Sequence, residues 1–190
     1  MTIEFIIPTF NRVNPLFTML YSLINQNNPN WKAHVVIDDV NENKAEQIVK
    51  SFNDYRIYFS YMGKQYNDWG HTPREYGKQM SDADYVIMTG DDNYYVPVCV
   101  DWIITHAKNN NNPGLIYWKM VHSHGGYCFF DSVPCIGRID MGSFATRIDL
   151  AKQIPLGTKY AADGYFIEAF KKTFPEEQQL KINHCLFVHN

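Results

Sequence analysis

Short apolar runs that alternate with one-faced helical stretches constrain this chain more than any other feature of its sequence. Ile3 to Ile7, ended by Pro8, and Ala33 to Ile37, ended by Asp38, have the length and composition of buried strands. Between them Pro15 stands at a helix start, and Leu16, Leu20, Leu23 and Ile24 give one apolar face, which completes a βαβ unit. The alternation continues through Ala45, Ile48, Val49 and Phe52 as a helix, Ile57 to Tyr61 as a strand, Pro73 to Ser81 as a helix and Tyr85 to Thr89 as a strand. A helix from Pro97 to Lys108 and a strand from Leu115 to Val121 follow, before Gly125-Gly126 and Pro134 break the pattern. The later segments read as a strand over Met141 to Thr146, a short helix over Ile148 to Ile154, a helix over Asp163 to Lys172 and a strand over Lys181 to Val188. The expected fold class is α/β, a mainly parallel sheet with added antiparallel strands.

The 190 residues suit one domain, and 45% apolar with 19% charged residues excludes a mainly disordered chain. A net charge of -3 offers no basic field for a polynucleotide, so no nucleic-acid partner is expected and a small ligand is. Cys99, Cys128, Cys135 and Cys185 form no C-x-x-C pair and are read as reduced. Thr2 to Ile7 is too short for a signal peptide or membrane span, so no transmembrane segment is expected. That points to the cytoplasm, with peripheral attachment to a membrane and membership of a longer protein both left open.

The fourth strand runs directly into Gly90-Asp91-Asp92-Asn93. Ligands of open α/β sheets bind outside the carboxyl ends of strands, near the point where strand order reverses. Adjacent carboxylates there supply hard oxygen ligands for Mg²⁺ or Mn²⁺, and such a cation favours a diphosphate. An isolated D-D-N is ordinarily a solvated turn; its company in this chain sets it apart. Pro8-Thr9-Phe10-Asn11-Arg12 follows the first strand, Ile37-Asp38-Asp39 ends the second with Asn41 and Asn43 beyond it, and Gly70-His71-Thr72-Pro73-Arg74-Glu75-Tyr76-Gly77 opens a helix whose amides and Arg74 suit a phosphate.

These four motifs, in this order over residues 3 to 105, resemble the nucleotide-binding half of family 2 glycosyltransferases, which have a GT-A fold. The family pattern is P-T-x-N-R after the first strand, an acidic pair after the second, G-x-x-x-R-x-x-G, and a D-x-D-like metal motif. The resemblance implies a three-layer GT-A sandwich with a nucleotide-sugar donor half to about residue 105 and an acceptor half over 106–190. It implies that Thr9 and Asp39 contact the base, Arg12 and Arg74 lie near ribose or phosphates, Asp91 serves ribose or metal, and Asp92 binds the metal. The implied cofactor is Mn²⁺ or Mg²⁺, the donor a nucleoside-diphosphate sugar, and the partner a glycan, lipid-linked or protein-linked acceptor. Val40 and Asn41 replace the usual glycine and serine, and Glu75-Tyr76 stands where an asparagine commonly follows the arginine.

The resemblance also implies an acidic base at the start of a late helix, and Ala162-Asp163-Gly164-Tyr165-Phe166 fits it. Asp163 as a carboxylate base stands beside the alternative that it caps the helix, with Asp140 as reserve base. His189 after the last apolar run is the counterpart of the late histidine that completes the metal shell in many GT-A enzymes, or else a tail residue. His122 and His124 share a strand face by spacing but lack further partners for zinc. Trp69, Trp118, Tyr94 and Tyr95 are core residues or stack on a sugar or base. The expected activity is metal-dependent, inverting hexosyl transfer. The alternatives are a nucleotidyltransferase, although Pro8 to Arg12 lacks the glycine-rich loop, and a catalytically silent sugar-nucleotide or glycan-binding module. A haloacid-dehalogenase-like phosphatase would need its acids after the first strand.

Overall fold

A computed structural model of the chain describes residues 1–39 and 43–190, so Val40 and Asn41 lie outside the described residues. The elements run β1 (Ile3–Thr9), α1 (Val13–Ile24), β2 (Trp31–Ile37), α2 (Asn43–Ser51), β3 (Ile57–Tyr61), α3 (His71–Met80), β4 (Tyr85–Met88), β5 (Tyr94–Tyr95) and α4 (Cys99–Asn109). They continue with β6 (Leu115–His122), α5 (His124–Tyr127), β7 (Cys128–Phe130), a 3-10 turn (Met141–Ser143), β8 (Phe144–Arg147), α6 (Ile148–Ala151), α7 (Ala162–Thr173) and β9 (Gln179–His189).

The strands form one mixed sheet in the order β3-β2-β1-β4-β8-β6-β9-β5, with β7 added on β6. β1, β2, β3 and β4 are mutually parallel, β8 turns antiparallel, and β6 and β9 resume the first direction. Period-two alternation divides the side chains of the parallel strands between two apolar layers. Phe5, Ile7, Val35, Ile37 and Ile87 face the helices α1, α2 and α4 in one core cluster. Ile6, Val36, Val86 and Met88 face Leu150, Phe166, Ile167 and Phe170 of α6 and α7 in the other. With both faces covered, the strands need the near-continuous apolar runs that the sequence displays.

Chain order reverses at β1, because β2 and β3 lie on one side of it and β4 on the other. The carboxyl ends of β1 and β4 therefore open a crevice. β4 pairs with β1 only from Ile3 to Ile6, so Pro8, which has no N–H to donate, extends the strand at no cost on that side. α3 begins at His71, two residues before the expected start. Pro73 sits in its first turn, where amides lack intrahelical acceptors anyway.

The second half departs further from expectation. Met141–Ser143 is a 3-10 turn rather than strand, because Asp140 accepts the Gly142 N–H at 2.8 Å and the Ser143 hydroxyl answers the Asp140 N–H at 3.1 Å. α6 stops at Ala151, short of the expected Ile154. β5 and β7 are strands too short to leave a periodic signature.

Candidate active site

The loop after β4 is shaped by its own side chains. The Asn93 amide donates to the Thr89 hydroxyl at 3.1 Å, and the Asn190 N–H donates to Asn93 Oδ1 at 3.4 Å, which ties the end of β9 to the acidic motif. Asp91 is 4% exposed and its Oδ2 accepts the Thr9 hydroxyl at 2.7 Å. Burial pushes its pKa up to about 6, against the pull of Thr9 and Arg12. Arg12 bridges the two acids, 3.3 Å from Asp91 and donating to Asp92 Oδ2 at 2.8 Å. Two carboxylates thus already converge on one cationic group. A set of hard oxygens around a positive centre fits Mg²⁺ or Mn²⁺.

α3 presents the third motif. Gly70 precedes the helix at φ 79°, and a Cβ there would come within 2.8 Å of the Pro8 ring. At Gly77 a Cβ would meet Ile6 Cγ2 at 2.4 Å, so the two glycines let α3 lie directly on β1. Arg74, one turn in, donates through Nε to the Thr89 carbonyl at 2.9 Å and through Nη1 to the Trp69 carbonyl at 2.8 Å. Burial pulls its pKa down, opposed by Asp140, Asp91, Asp92 and Asp163, whose combined field keeps the cation in place.

Glu75, the departure from the family pattern, accepts the Lys78 ammonium at 2.7 Å and the Leu156 N–H at 2.7 Å. Lys78 is fully buried and also donates to the Ile154 carbonyl. A glutamate here fastens α3 to the segment that leads into α7.

A cavity of about 360 Å³ is bounded by Thr9, Arg12, Asp38, Trp69, Arg74, Asp91 and Asp92, among others. Asp38 rather than Asp39 forms its wall among the described residues, and Asp39 is half-buried. Asp38 Oδ1 accepts the Tyr66 N–H at 3.0 Å, and burial raises its pKa.

A second cavity, also about 360 Å³, adjoins the first and shares Trp69 and Arg74 with it. Its wall carries Asp140, Asp163, Tyr160, His122 and His189. The capping position of α7 belongs to Ala161, at φ 64°, while Asp163 lies in the first turn and accepts the Gly164 N–H at 2.6 Å. Burial raises the Asp163 pKa to about 6, with the Asp140 charge adding to the rise and Arg74 opposing it. His189 Nε2 is 3.6 Å from Asp140 Oδ2 and its ring stacks on His122 at 4.1 Å between centroids. Among the described residues, His122, Asp140 and His189 bring one ligand atom each within 4.8 Å of one another. His124 does not share a strand face with His122, because β6 ends at His122 and α5 begins at His124.

The fold brings Thr9, Arg12, Arg74, Asp91 and Asp92 to one cavity and Asp163 and His189 to its neighbour. Trp118 and Tyr95 are core side chains. Sequence reasoning passed over Asp38 and Tyr160. Asp38 is adjacent to the residue chosen, and continuing the β2 alternation by one residue was the signal available. Tyr160 carried none.

Residues 4–130 match the model described as glycosyl transferase family 2, and the chain belongs to that family. Membership displaces the nucleotidyltransferase and phosphatase readings. No curated protein sequence is significantly similar to the chain. The structure of S. aureus TarS 1-349 is similar at a TM-score of 0.81 and 16% identity, over 100% of this chain and 60% of that one. A TarS 1-349 complex with UDP-GlcNAc is similar at a TM-score of 0.80 and 16% identity, over 99% of this chain and 58% of that one. The mannosyltransferase PcManGT from Pyrobaculum calidifontis, in complex with GDP-Man and Mn²⁺, is similar at a TM-score of 0.76 and 11% identity, over 98% and 56%. The fold is that of the GT-A transferases, and the chain spans about 60% of the length of the TarS 1-349 chain.

Proposed function

We propose that this protein transfers a hexosyl unit from a nucleoside-diphosphate sugar to an acceptor hydroxyl, with a divalent cation and with inversion at the anomeric carbon. The observation that carries the reading is the pair of adjoining cavities, one holding the acids Asp91 and Asp92 and the other holding Asp163, with Arg74 between them. Residues to about 105 serve mainly the donor and residues 106–190 mainly the acceptor, in one GT-A domain. UDP-GlcNAc on TarS and GDP-Man with Mn²⁺ on PcManGT support the donor class and the cation.

In this reading Thr9, Asp38 and Asp39 meet the nucleoside, and Arg12 and Arg74 meet ribose or phosphate oxygens. Asp92, with Asp91, would hold Mn²⁺ or Mg²⁺, and His189, whose neighbour Asn190 donates to Asn93 beside the acids, would complete the set. The cation, when bound, supplies positive charge opposite the leaving diphosphate. Asp163 takes the acceptor hydroxyl proton on a carboxylate oxygen as that hydroxyl oxygen bonds to the anomeric carbon. The bond to the diphosphate breaks on the opposite face, and its electron pair stays on the phosphate oxygen. A pKa of about 6 makes Asp163 a stronger base than an ordinary carboxylate while leaving it ionised at neutral pH.

The acceptor is a glycan or a lipid-linked or protein-linked hydroxyl. No helix among the described residues is long and apolar enough to cross a membrane. A cytoplasmic site of action, peripheral to a membrane if the acceptor is lipid-linked, belongs to the same proposal. Thermal melts with nucleoside diphosphates, with and without Mn²⁺, test the reading, because a ligand of the folded state raises its melting temperature. One nucleotide should stabilise the protein in a Mn²⁺-dependent way, and release of nucleoside diphosphate on adding the matching sugar donor should follow. Absence of both effects across UDP, GDP, ADP, CDP and dTDP would overturn it, and binding without turnover would identify a silent module.

A further inference from the structure

Two aromatic rings stand at the seam between the cavities in a setting that core packing does not explain. Trp69 is 67% exposed and Tyr160 76% exposed, yet their rings meet edge to face at 6.3 Å between centroids. Such rings lose contact with water only when something covers them, and exposed aromatics grouped at a cavity mouth mark a ligand surface. Both rest on unusual backbone. Trp69 itself has φ 58°, between Asn67 at φ 55° and Gly70 at φ 79°, and Tyr160 precedes Ala161 at φ 64°. A bulky residue in the left-handed region is strained, and such strain persists where surrounding contacts enforce it. Here the enforcement is visible, because Arg74 holds the Trp69 carbonyl at 2.8 Å. The same helix, α3, is fastened through Glu75 to the Leu156 N–H, a few residues before Tyr160, so one element sets the position of both rings.

We infer that Trp69 and Tyr160 form an aromatic clamp that binds the C–H face of a pyranose ring of the acceptor. A pyranose presents one face of C–H bonds to an aromatic surface and an equatorial rim of hydroxyls to polar groups, and the amphipathic rings of Trp and Tyr match it. The assignment to the acceptor rather than the donor follows from Tyr160, which lines the cavity of Asp163 and not that of Asp91 and Asp92. A sugar held there turns its hydroxyl rim toward Asp163. The inference rests on the glycosyltransferase reading and narrows its acceptor to a saccharide.

The chain supplies its own reporter. Trp31 and Trp118 are fully buried and Trp102 is half-buried, which leaves Trp69 as the tryptophan that acrylamide can quench readily. The test is acrylamide quenching of the full chain titrated with methyl hexopyranosides (gluco, galacto, manno and N-acetylglucosamine), with sorbitol as an open-chain control. At least one pyranoside should protect Trp69 in a saturable way and sorbitol should not. Tyr160→Ala should weaken that protection about tenfold, a change of about 1.4 kcal/mol. Trp69→Gly, which relieves the backbone strain, should melt no lower than the parent protein yet lose any rise in melting temperature that the pyranoside gives. No protection by any pyranoside up to about 100 mM, a concentration at which even very weak sugar binding registers, overturns the clamp. So does pyranoside protection that Tyr160→Ala leaves unchanged, which would remove Tyr160 from the sugar site. Failure of the parent reading is separate, since it removes the Mn²⁺-dependent nucleotide shift whatever the pyranosides do.

Discussion

Asp91→Asn should make the ligand-free protein more stable while abolishing its response to donor. The Asp91 carboxylate is 4% exposed, and burial lifts its pKa from 3.8 to about 6 despite Thr9 and Arg12. The folded state therefore holds this proton more tightly than the unfolded chain does. The stability associated with the group is fully present below about pH 3.8 and is lost as pH rises through about 6. A rise of roughly two units at about 1.36 kcal/mol each puts the cost of the ionised form near 3 kcal/mol at neutral pH. Asparagine removes that charge and keeps an oxygen for the Thr9 hydroxyl, but gives up the Arg12 contact. The expected net gain is about 1–3 kcal/mol, or roughly 2–10 °C in melting temperature for a chain of this length. Melts in EDTA between about pH 4 and pH 8 should show parent and variant converging at the acid end and separating toward neutrality. Mn²⁺ with the cognate nucleoside diphosphate should raise the melting temperature of the parent alone. A variant that melts below the parent at neutral pH, or a gap that ignores pH, would refute the assignment of burial as the dominant effect on Asp91.

At saturating donor and cation, transfer should fall about tenfold per pH unit below the Asp163 pKa of about 6 and level off above it, since only the ionised carboxylate accepts the proton. Asp163→Asn should lower turnover by about 10²–10⁴ without changing the nucleotide-induced melting shift. Loss of that shift would remove Asp163 from the role of base. Gly77→Val should cost about 1–3 kcal/mol in thermal melts, because even a Cβ would lie 2.4 Å from Ile6 Cγ2 and α3 must lift off β1. An unchanged melting temperature would contradict that close approach.

The parallel half of the sheet was legible because each strand there is a short apolar run bounded by polar or helix-starting residues. The expected strand Ile57–Tyr61 matches β3 to the residue, and the bounds of β1, β2 and β6 agree to within two at each end. The expected strand over Met141 to Thr146 holds only from Phe144 onward, because two polar side chains, Asp140 and Ser143, cap a turn in its first half, and apolar periodicity carries no record of side-chain capping. Tyr94–Tyr95 is a strand only because β9 pairs with it, 94↔188 and 95↔187, a fact of tertiary contact. The acidic motif and Arg74 could be read from spacing because each sits at a strand end or helix start. The second cavity could not, since it is assembled from α3, β6, α7 and β9 and from the left-handed residues Trp69 and Ala161.

Under the proposed function, the salt link from Arg12 to Asp91 and Asp92 must open for donor to enter. The Arg12 side chain is 49% exposed, and ion pairs that open to solvent are worth about 0–1 kcal/mol, so the link yields readily to a competitor. Formally, the negative charges of Asp91 and Asp92 equal the positive charges of Arg12 and Arg74, while Asp38 and Asp68 add negative charge to the same cavity wall. A nucleotide sugar chelated to a divalent ion is likewise close to uncharged. Entry of the chelate would then exchange counter-charges without changing their sum: the acids would hold the cation, and the released guanidinium would meet phosphate oxygens. A bare cation or a bare diphosphate would leave one partner of each kind unmatched. A protein working this way would prefer the assembled chelate to its parts, and its affinity for that chelate should depend less on ionic strength than its affinity for bare Mn²⁺.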